Sequence, residues 1–251
     1  FSCSRDMGLR WRKCALRFYR NWNSDMNVRF CLPIMKTTQG GVLDTIDRNV
    51  SAYDFFEVWI DYIIDFDATF LRKLERELKE SLVLVFRRRN FEEPQLDLEH
   101  RLQLLSHSEG SDALIDLDIE RQKTELEYVR QNQLKIPLIV SYHNYETTPE
   151  DDALREIITA MDAYQPYIFK IATQCAVPQD ALRLLQLLVQ LKDEGKRCII
   201  LGMGEHGAAT RVFGTLWGND MIFAPQSTRE ESAPGQLTRD QLKIIFKELE
   251  R

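Results

Sequence analysis

The chain has 251 residues, 44% hydrophobic and 29% charged, with a net charge of −6, which fits one large globular domain with a substantial core. No stretch approaches the ~20 apolar residues that span a bilayer, so no membrane partner is expected. The five cysteines and four histidines show neither a CxxC pair nor metal-ligand spacing. That argues against a disulfide framework or a zinc site and for a reducing, cytoplasmic setting with no metal.

Residues 1–29 hold seven Lys or Arg against two acids, a net of +5 that leaves −11 for the rest. This basic prefix, with Trp11 and Trp22 among its apolar residues, reads as an extension packed on the domain or a linker from an upstream segment. Its arginine-studded start does not resemble a signal peptide, and it carries no initiating Met, so the chain is expected to continue a longer polypeptide. Arginines alone specify no partner, and the acidic body argues against nucleic acid.

From residue 30 to 251, short β-rich runs alternate with segments of helical periodicity. The expected strands are Phe30–Met35, Phe55–Asp61, Leu82–Arg87, Ala113–Asp118, Ile136–His143, Tyr167–Thr173, Cys198–Met203 and Asp220–Ala224. Helices are expected between them, among them Thr69–Lys79, Glu120–Gln131, Pro149–Ala163 and Gln179–Lys192. Thr148 before Pro149, with Glu150 and Asp151 next, reads as a helix cap followed by a proline at the first position. Eight strands in strict alternation with helices predict a single (β/α)8 TIM barrel. An open doubly wound sheet would usually carry a glycine-rich phosphate loop after its first strand, and Met35-Lys-Thr-Thr-Gln-Gly-Gly41 is a poor one.

Polar residues collect at the C-terminal ends of these strands, the rim where a (β/α)8 barrel builds its active site. Glu57, Trp59 and Asp61 share one face of the second strand at period two. Arg87 ends the third strand, Asp116 and Asp118 the fourth, and Ser141 and His143 the fifth. Lys170 sits inside the apolar run Tyr-Ile-Phe-Lys-Ile-Ala, where lost hydration favours the neutral amine that can attack a carbonyl; it could equally lie at the rim or pair with Glu57. His143 can move protons near neutral pH, or cap the loop that follows it. Arg211 could bind a carboxylate through its planar fork. The polar run from Gln226 to Gln236 reads as a lid or as an ordinary surface loop.

Taken together, five segments resemble the type I 3-dehydroquinate dehydratases. They are Cys31-Leu-Pro-Ile-Met-Lys36, Ser141-Tyr-His-Asn-Tyr-Glu-Thr-Thr-Pro149, Tyr167-Ile-Phe-Lys-Ile-Ala172, Met203-Gly-Glu-His-Gly-Ala-Ala-Thr-Arg211 and Ser232-Ala-Pro-Gly-Gln236. The resemblance implies that Lys170 forms an imine with the ketone of 3-dehydroquinate and that His143 takes and returns protons. It also implies that Arg211 holds the carboxylate, that Ser232 and Gln236 close from the lid, and that Glu57 and Arg87 meet ring hydroxyls. It implies no cofactor, and a homodimer as the usual assembly. Two positions depart from the family pattern: Trp59 stands where the family carries an arginine, and Phe91 where it carries a glutamate that helps orient the histidine, unless Glu92 has slipped in by one. A barrel that senses or regulates without turnover, and a Schiff-base enzyme for another substrate, therefore stay open beside the dehydratase.

Overall fold

The apolar runs become eight parallel strands in the computed structural model, which describes residues 28–86, 96–233 and 235–249. These are β1 (Phe30–Ile34), β2 (Phe55–Trp59), β3 (Leu82–Val85), β4 (Leu114–Asp118), β5 (Leu138–Asn144), β6 (Ile168–Gln174), β7 (Cys198–Met203) and β8 (Ile222–Phe223). Every residue of β1 to β4 is buried. Strands with neighbours on both faces read as hydrophobic stretches, and these do apart from Glu57, Asp116 and Asp118. The basic prefix up to residue 27, and the segment 87–95 that carries Arg87, Arg88, Arg89, Phe91 and Glu92, lie outside the described residues.

The hydrogen-bonded order runs from β7 through β6, β5, β4, β3, β2 and β1 to β8, which is a barrel ladder complete except at one seam. Between β7 and β8 an asparagine side chain stands in for the missing strand contacts. Asn219 Oδ1 accepts from Ile200 N at 2.7 Å and Asn219 Nδ2 donates to Ile200 O at 3.0 Å. One backbone bond joins them, Asp220 N to Cys198 O at 2.9 Å. The barrel is therefore nearly closed, and β8 is shorter than its sequence suggests because only Phe30 and Cys31 of β1 pair with it.

Among the described residues eight helices cover the outside: α1 (Gln39–Asn49), α2 (Ala68–Leu78), α3 (Leu98–His107), α4 (Lys123–Gln131), α5 (Asp151–Asp162), α6 (Pro178–Asp193), α7 (Ala208–Leu216) and α8 (Arg239–Leu249). Their starts follow ordinary capping chemistry. Thr38 accepts from Gly41 N, Asp67 from Phe70 N and Asp97 from His100 N, each satisfying an otherwise orphaned amide. α6 begins on Pro178, with Asp180 accepting from Ala176 N and Val177 N.

Two helix starts differ from expectation by more than one residue. α5 begins at Asp151, two residues after the expected proline, with Glu150 as its cap. The Thr148 hydroxyl is committed to β6 instead, at 2.9 Å from Thr173 Oγ1 and 2.8 Å from Gln174 O. α4 begins at Lys123 rather than Glu120, because Asp118 Oδ1 takes the amides of Glu120 and Arg121 into a turn of its own. Among the described residues no helix is long and apolar enough to cross a membrane.

Candidate active site

Buried polar side chains gather at the C-terminal ends of the strands: Glu57, Asp116, Asp118, Ser141, His143 and Lys170 are all at most 5% exposed. The register of the sheet explains the grouping. Ser141 of β5 lies beside Lys170 of β6, and His143 lies beside Ala172. Lys170 and His143 are thus diagonal neighbours facing the barrel interior, roughly 8 Å apart at Cα from the strand spacing and rise.

β4 supplies a carboxylate to each of them. Lys170 Nζ donates to Asp116 Oδ2 at 2.6 Å, and Asp116 Oδ1 accepts from Ser141 Oγ at 2.5 Å. Two residues along, Asp118 Oδ2 lies 3.0 Å from His143 Nδ1, while its other oxygen holds the amides of Glu120 and Arg121. That contact places the imidazole proton on Nδ1 and leaves Nε2 as the basic nitrogen. Period two along β4 and the register with β5 and β6 make both pairings possible at once.

β2 contributes Glu57 and Trp59. Glu57 Oε1 is 3.7 Å from Lys170 Nζ, and Glu57 Oε2 accepts from the Trp59 indole Nε1 at 2.9 Å. Trp59 packs edge-on against Tyr62, centroids 6.1 Å apart. The indole is therefore a neutral hydrogen-bond donor to Glu57, and the carboxylate that stands closest to Lys170 is that of Asp116. Glu57 thus keeps the ion-pair contact to Lys170 that the sequence allowed, and adds the hydrogen bond from the indole.

Arg211 reaches the barrel mouth from the first turn of α7, and two glycines set the approach. A side chain on Gly207 would lie 2.4 Å from the carbonyl carbon of Gly202, and one on Gly202 would lie 2.6 Å from Cys175 Sγ. The turn is fastened by Thr210 Oγ1, which accepts from Gly202 N and donates to Gly207 O, both at 2.7 Å. Arg211 is 2% exposed. Burial pulls its guanidinium down to about 10, opposed by the charge of Glu231, so it remains a cation at neutral pH.

The loop after β8 folds over this mouth. Gln236 Oε1 accepts from Ser232 N and Gln236 Nε2 donates to Ser232 Oγ, each at 3.0 Å, so the two form a clasp. Lys36 Nζ, at the end of β1, pairs with Glu230 Oε1 at 3.2 Å. Gly235, at φ 79°, lies so near Gly204 that a side chain there would meet its carbonyl oxygen at 3.0 Å. Glu57, Trp59, His143, Lys170, Arg211, Ser232 and Gln236 line one cavity of about 40 Å³, completed by residues that include Tyr145, Met203 and Phe223. That is room for a few waters.

Six of the seven candidate residues, Lys170, His143, Glu57, Arg211, Ser232 and Gln236, thus share one pocket, and the seventh, Arg87, lies outside the described residues. Asp116 and Asp118 are visible in the sequence as rim acids, but their partners are not; the signal was the Asp-x-Asp spacing set against the strand register. Ser141 was also noted at the rim, whereas Tyr145 and Phe223 carried no signal. Among the described residues no group of three His, Cys, Asp or Glu is placed to hold a metal.

Fold and pocket together put the chain among the (β/α)8 barrel enzymes that keep a lysine at the centre of the barrel mouth. The model of the type I 3-dehydroquinase family matches residues 30–251, and the chain belongs to that family. It is 29% identical over 210 residues to the 3-dehydroquinate dehydratase of Coxiella burnetii (strain CbuK_Q154), covering 83% of this chain and 88% of the relative. It is 35% identical over 156 residues to the enzyme of the same name from Methanococcus maripaludis (strain C5), covering 61% and 69%. Among solved structures, 3-dehydroquinate dehydratase from Geobacillus kaustophilus HTA426 has the same fold, with a TM-score of 0.75 at 23% identity over 89% of this chain and 91% of that one.

Proposed function

We propose that the chain converts 3-dehydroquinate to 3-dehydroshikimate by syn elimination of water, with Lys170 as the imine-forming amine and His143 as the proton carrier. The observation that carries this is the buried Lys170 amine beside a histidine whose Nδ1 is held by Asp118, in a pocket that also contains Arg211. In this reading the amine condenses with the C3 ketone, and the resulting iminium withdraws electrons from C2. His143 Nε2 removes the C2 proton and passes a proton to the departing C1 hydroxyl, which leaves as water. Hydrolysis of the imine, again assisted by His143, releases the product.

Arg211 holds the substrate carboxylate, and burial strengthens that interaction. Ser232 and Gln236 exchange their mutual clasp for contacts to the substrate when the lid closes on it, which excludes water from the iminium. Glu57, held by the Trp59 indole, faces the ring hydroxyls, a task that the family resemblance extends to Arg87. Asp118 takes over the orienting task that the family gives to a glutamate, at the place where this chain carries Phe91. Residues 30–251 form the catalytic domain and 1–29 a basic extension, a division that the span of the family match supports. The reading also includes a homodimer working in the cytoplasm, for which the buried free thiols of Cys31, Cys175 and Cys198 are suitable.

A second reading is favoured by Trp59 alone: a barrel that binds the ligand without turning it over, because a neutral indole replaces the family's cation beside Glu57. Turnover separates the two. With 3-dehydroquinate at neutral pH the first reading expects enone absorbance to rise in proportion to enzyme. Ligand binding without that rise contradicts it and leaves the second.

A further inference from the structure

Lys170 Nζ faces two carboxylates that are not equivalent. Asp116 Oδ2 is at 2.6 Å and Glu57 Oε1 at 3.7 Å, with the Phe223 ring 4.4 Å away. Asp116 is fully buried and is not among the cavity-lining residues, so it touches the amine from below while the mouth lies above. Its second oxygen is tied to Ser141, which fixes the carboxylate in place. Glu57 does line the cavity, and its second oxygen is tied to Trp59. A substrate arriving from the mouth meets Glu57 and displaces nothing between Lys170 and Asp116.

We infer that Asp116 is the counter-ion of the Schiff base, staying bonded to the lysine nitrogen from ammonium to iminium, with Ser141 positioning it. This rests on the reading that Lys170 forms the imine. The Lys170 ammonium gives one proton to Asp116 Oδ2, and the freed nitrogen lone pair attacks the ketone carbon as the carbonyl pair moves onto oxygen. A second proton passes from nitrogen to that oxygen, giving a neutral carbinolamine. The proton held by Asp116 then returns to the carbinolamine hydroxyl, the C–O bond breaks, water leaves and the nitrogen pair forms C=N. One proton remains on nitrogen, and Asp116 is again a carboxylate facing a cation. A cation in a buried site is stabilised strongly by an anion in direct contact, because little water intervenes to screen the pair. The iminium is the electron sink only while it is protonated, so Asp116 sustains the form that drives elimination.

Among the described residues, the other titratable or charged groups facing this nitrogen are few. They are Glu57 from β2, His143 from β5, Tyr145 just after it and Arg211 across the cavity, together with Cys31 from β1, whose thiol burial pushes well above its usual range. Removing the Asp116 charge therefore changes the pH range over which the iminium keeps its proton. An anion beside a cation holds the proton to higher pH; without it, the proton is lost at lower pH.

The test compares wild type, Asp116→Asn and Ser141→Ala by the pH dependence of kcat and by borohydride trapping with 3-dehydroquinate. Asp116→Asn is expected to lower kcat by 100-fold or more, about the loss of a strong electrostatic contact, and to move the alkaline limb of kcat down by at least one pH unit. KM should change less than kcat. Ser141→Ala should move the same limb in the same direction by less, and it decides the matter if Asp116→Asn does not fold. An alkaline limb unmoved in the folded variants overturns the inference while the wild-type Lys170 adduct stands. A wild type that turns over without an adduct on Lys170 overturns both the inference and the reading beneath it.

Discussion

Replacing Asp118 by asparagine removes one charge and reverses the hydrogen-bond polarity presented to His143. Asp118 Oδ1 accepts from Glu120 N and Arg121 N, both at 3.0 Å, and these amides can only donate. In Asp118→Asn the amide oxygen must therefore stay with them, which turns the NH2 toward His143 Nδ1, 3.0 Å from the other atom of the group. An NH2 there makes Nδ1 the acceptor and places the ring proton on Nε2, the nitrogen assigned to take the C2 proton. The fold keeps its turn, losing the charge contacts to His143 and to Arg121 at 3.7 Å. At about 1 kcal/mol that is a fall in Tm of about 2–4 °C for a domain of this size. Catalysis falls far more: a misplaced acid–base group costs roughly 10²–10⁴ in rate, or about 3–5 kcal/mol, and the same change in a serine protease triad costs about 10⁴. The assay is kcat from enone absorbance together with a thermal melt. A folded Asp118→Asn whose kcat stays within about threefold of wild type refutes the claim that Asp118 sets the tautomer.

Trp59→Arg should raise kcat/KM on 3-dehydroquinate by about fivefold, since a charged donor to Glu57 is worth about 1 kcal/mol more than a neutral one. If the wild type already exceeds about 10⁴ M⁻¹s⁻¹ and Trp59→Arg lowers it, the indole is an adapted part of the site rather than a weakness. The lid at 226–236 should be cut readily by protease when free and be protected when ligand is bound, and equal cleavage in both states contradicts its role as a substrate cover.

The number, order and direction of the strands were legible because a barrel strand leaves a short apolar run between helices, and that signal survives without any tertiary contact. Strand ends were less legible: β8 is trimmed to two residues by a seam that the Asn219 side chain fills, and no periodicity encodes that. The start of α5 was misplaced because Thr148, a good cap by type, finds a better use for its hydroxyl at the end of β6. In the site, Lys170 and His143 stood out as polar residues against an apolar pattern. Asp116 and Asp118 stood out equally, yet pairing each with its partner needs the register between strands 25 to 54 residues apart. Trp59 was legible as an odd residue, but the sense of its contact was not, since an indole can pack under a site or donate into it. Only the geometry shows it donating to Glu57.

The claim beneath all of this is that Lys170 carries the covalent intermediate. Borohydride added with 3-dehydroquinate should reduce the iminium and leave a ligand-sized mass increase on the peptide containing Lys170, with loss of activity in step with labelling. Labelling at any other residue, or full turnover in the presence of borohydride with Lys170 unmodified, would contradict it.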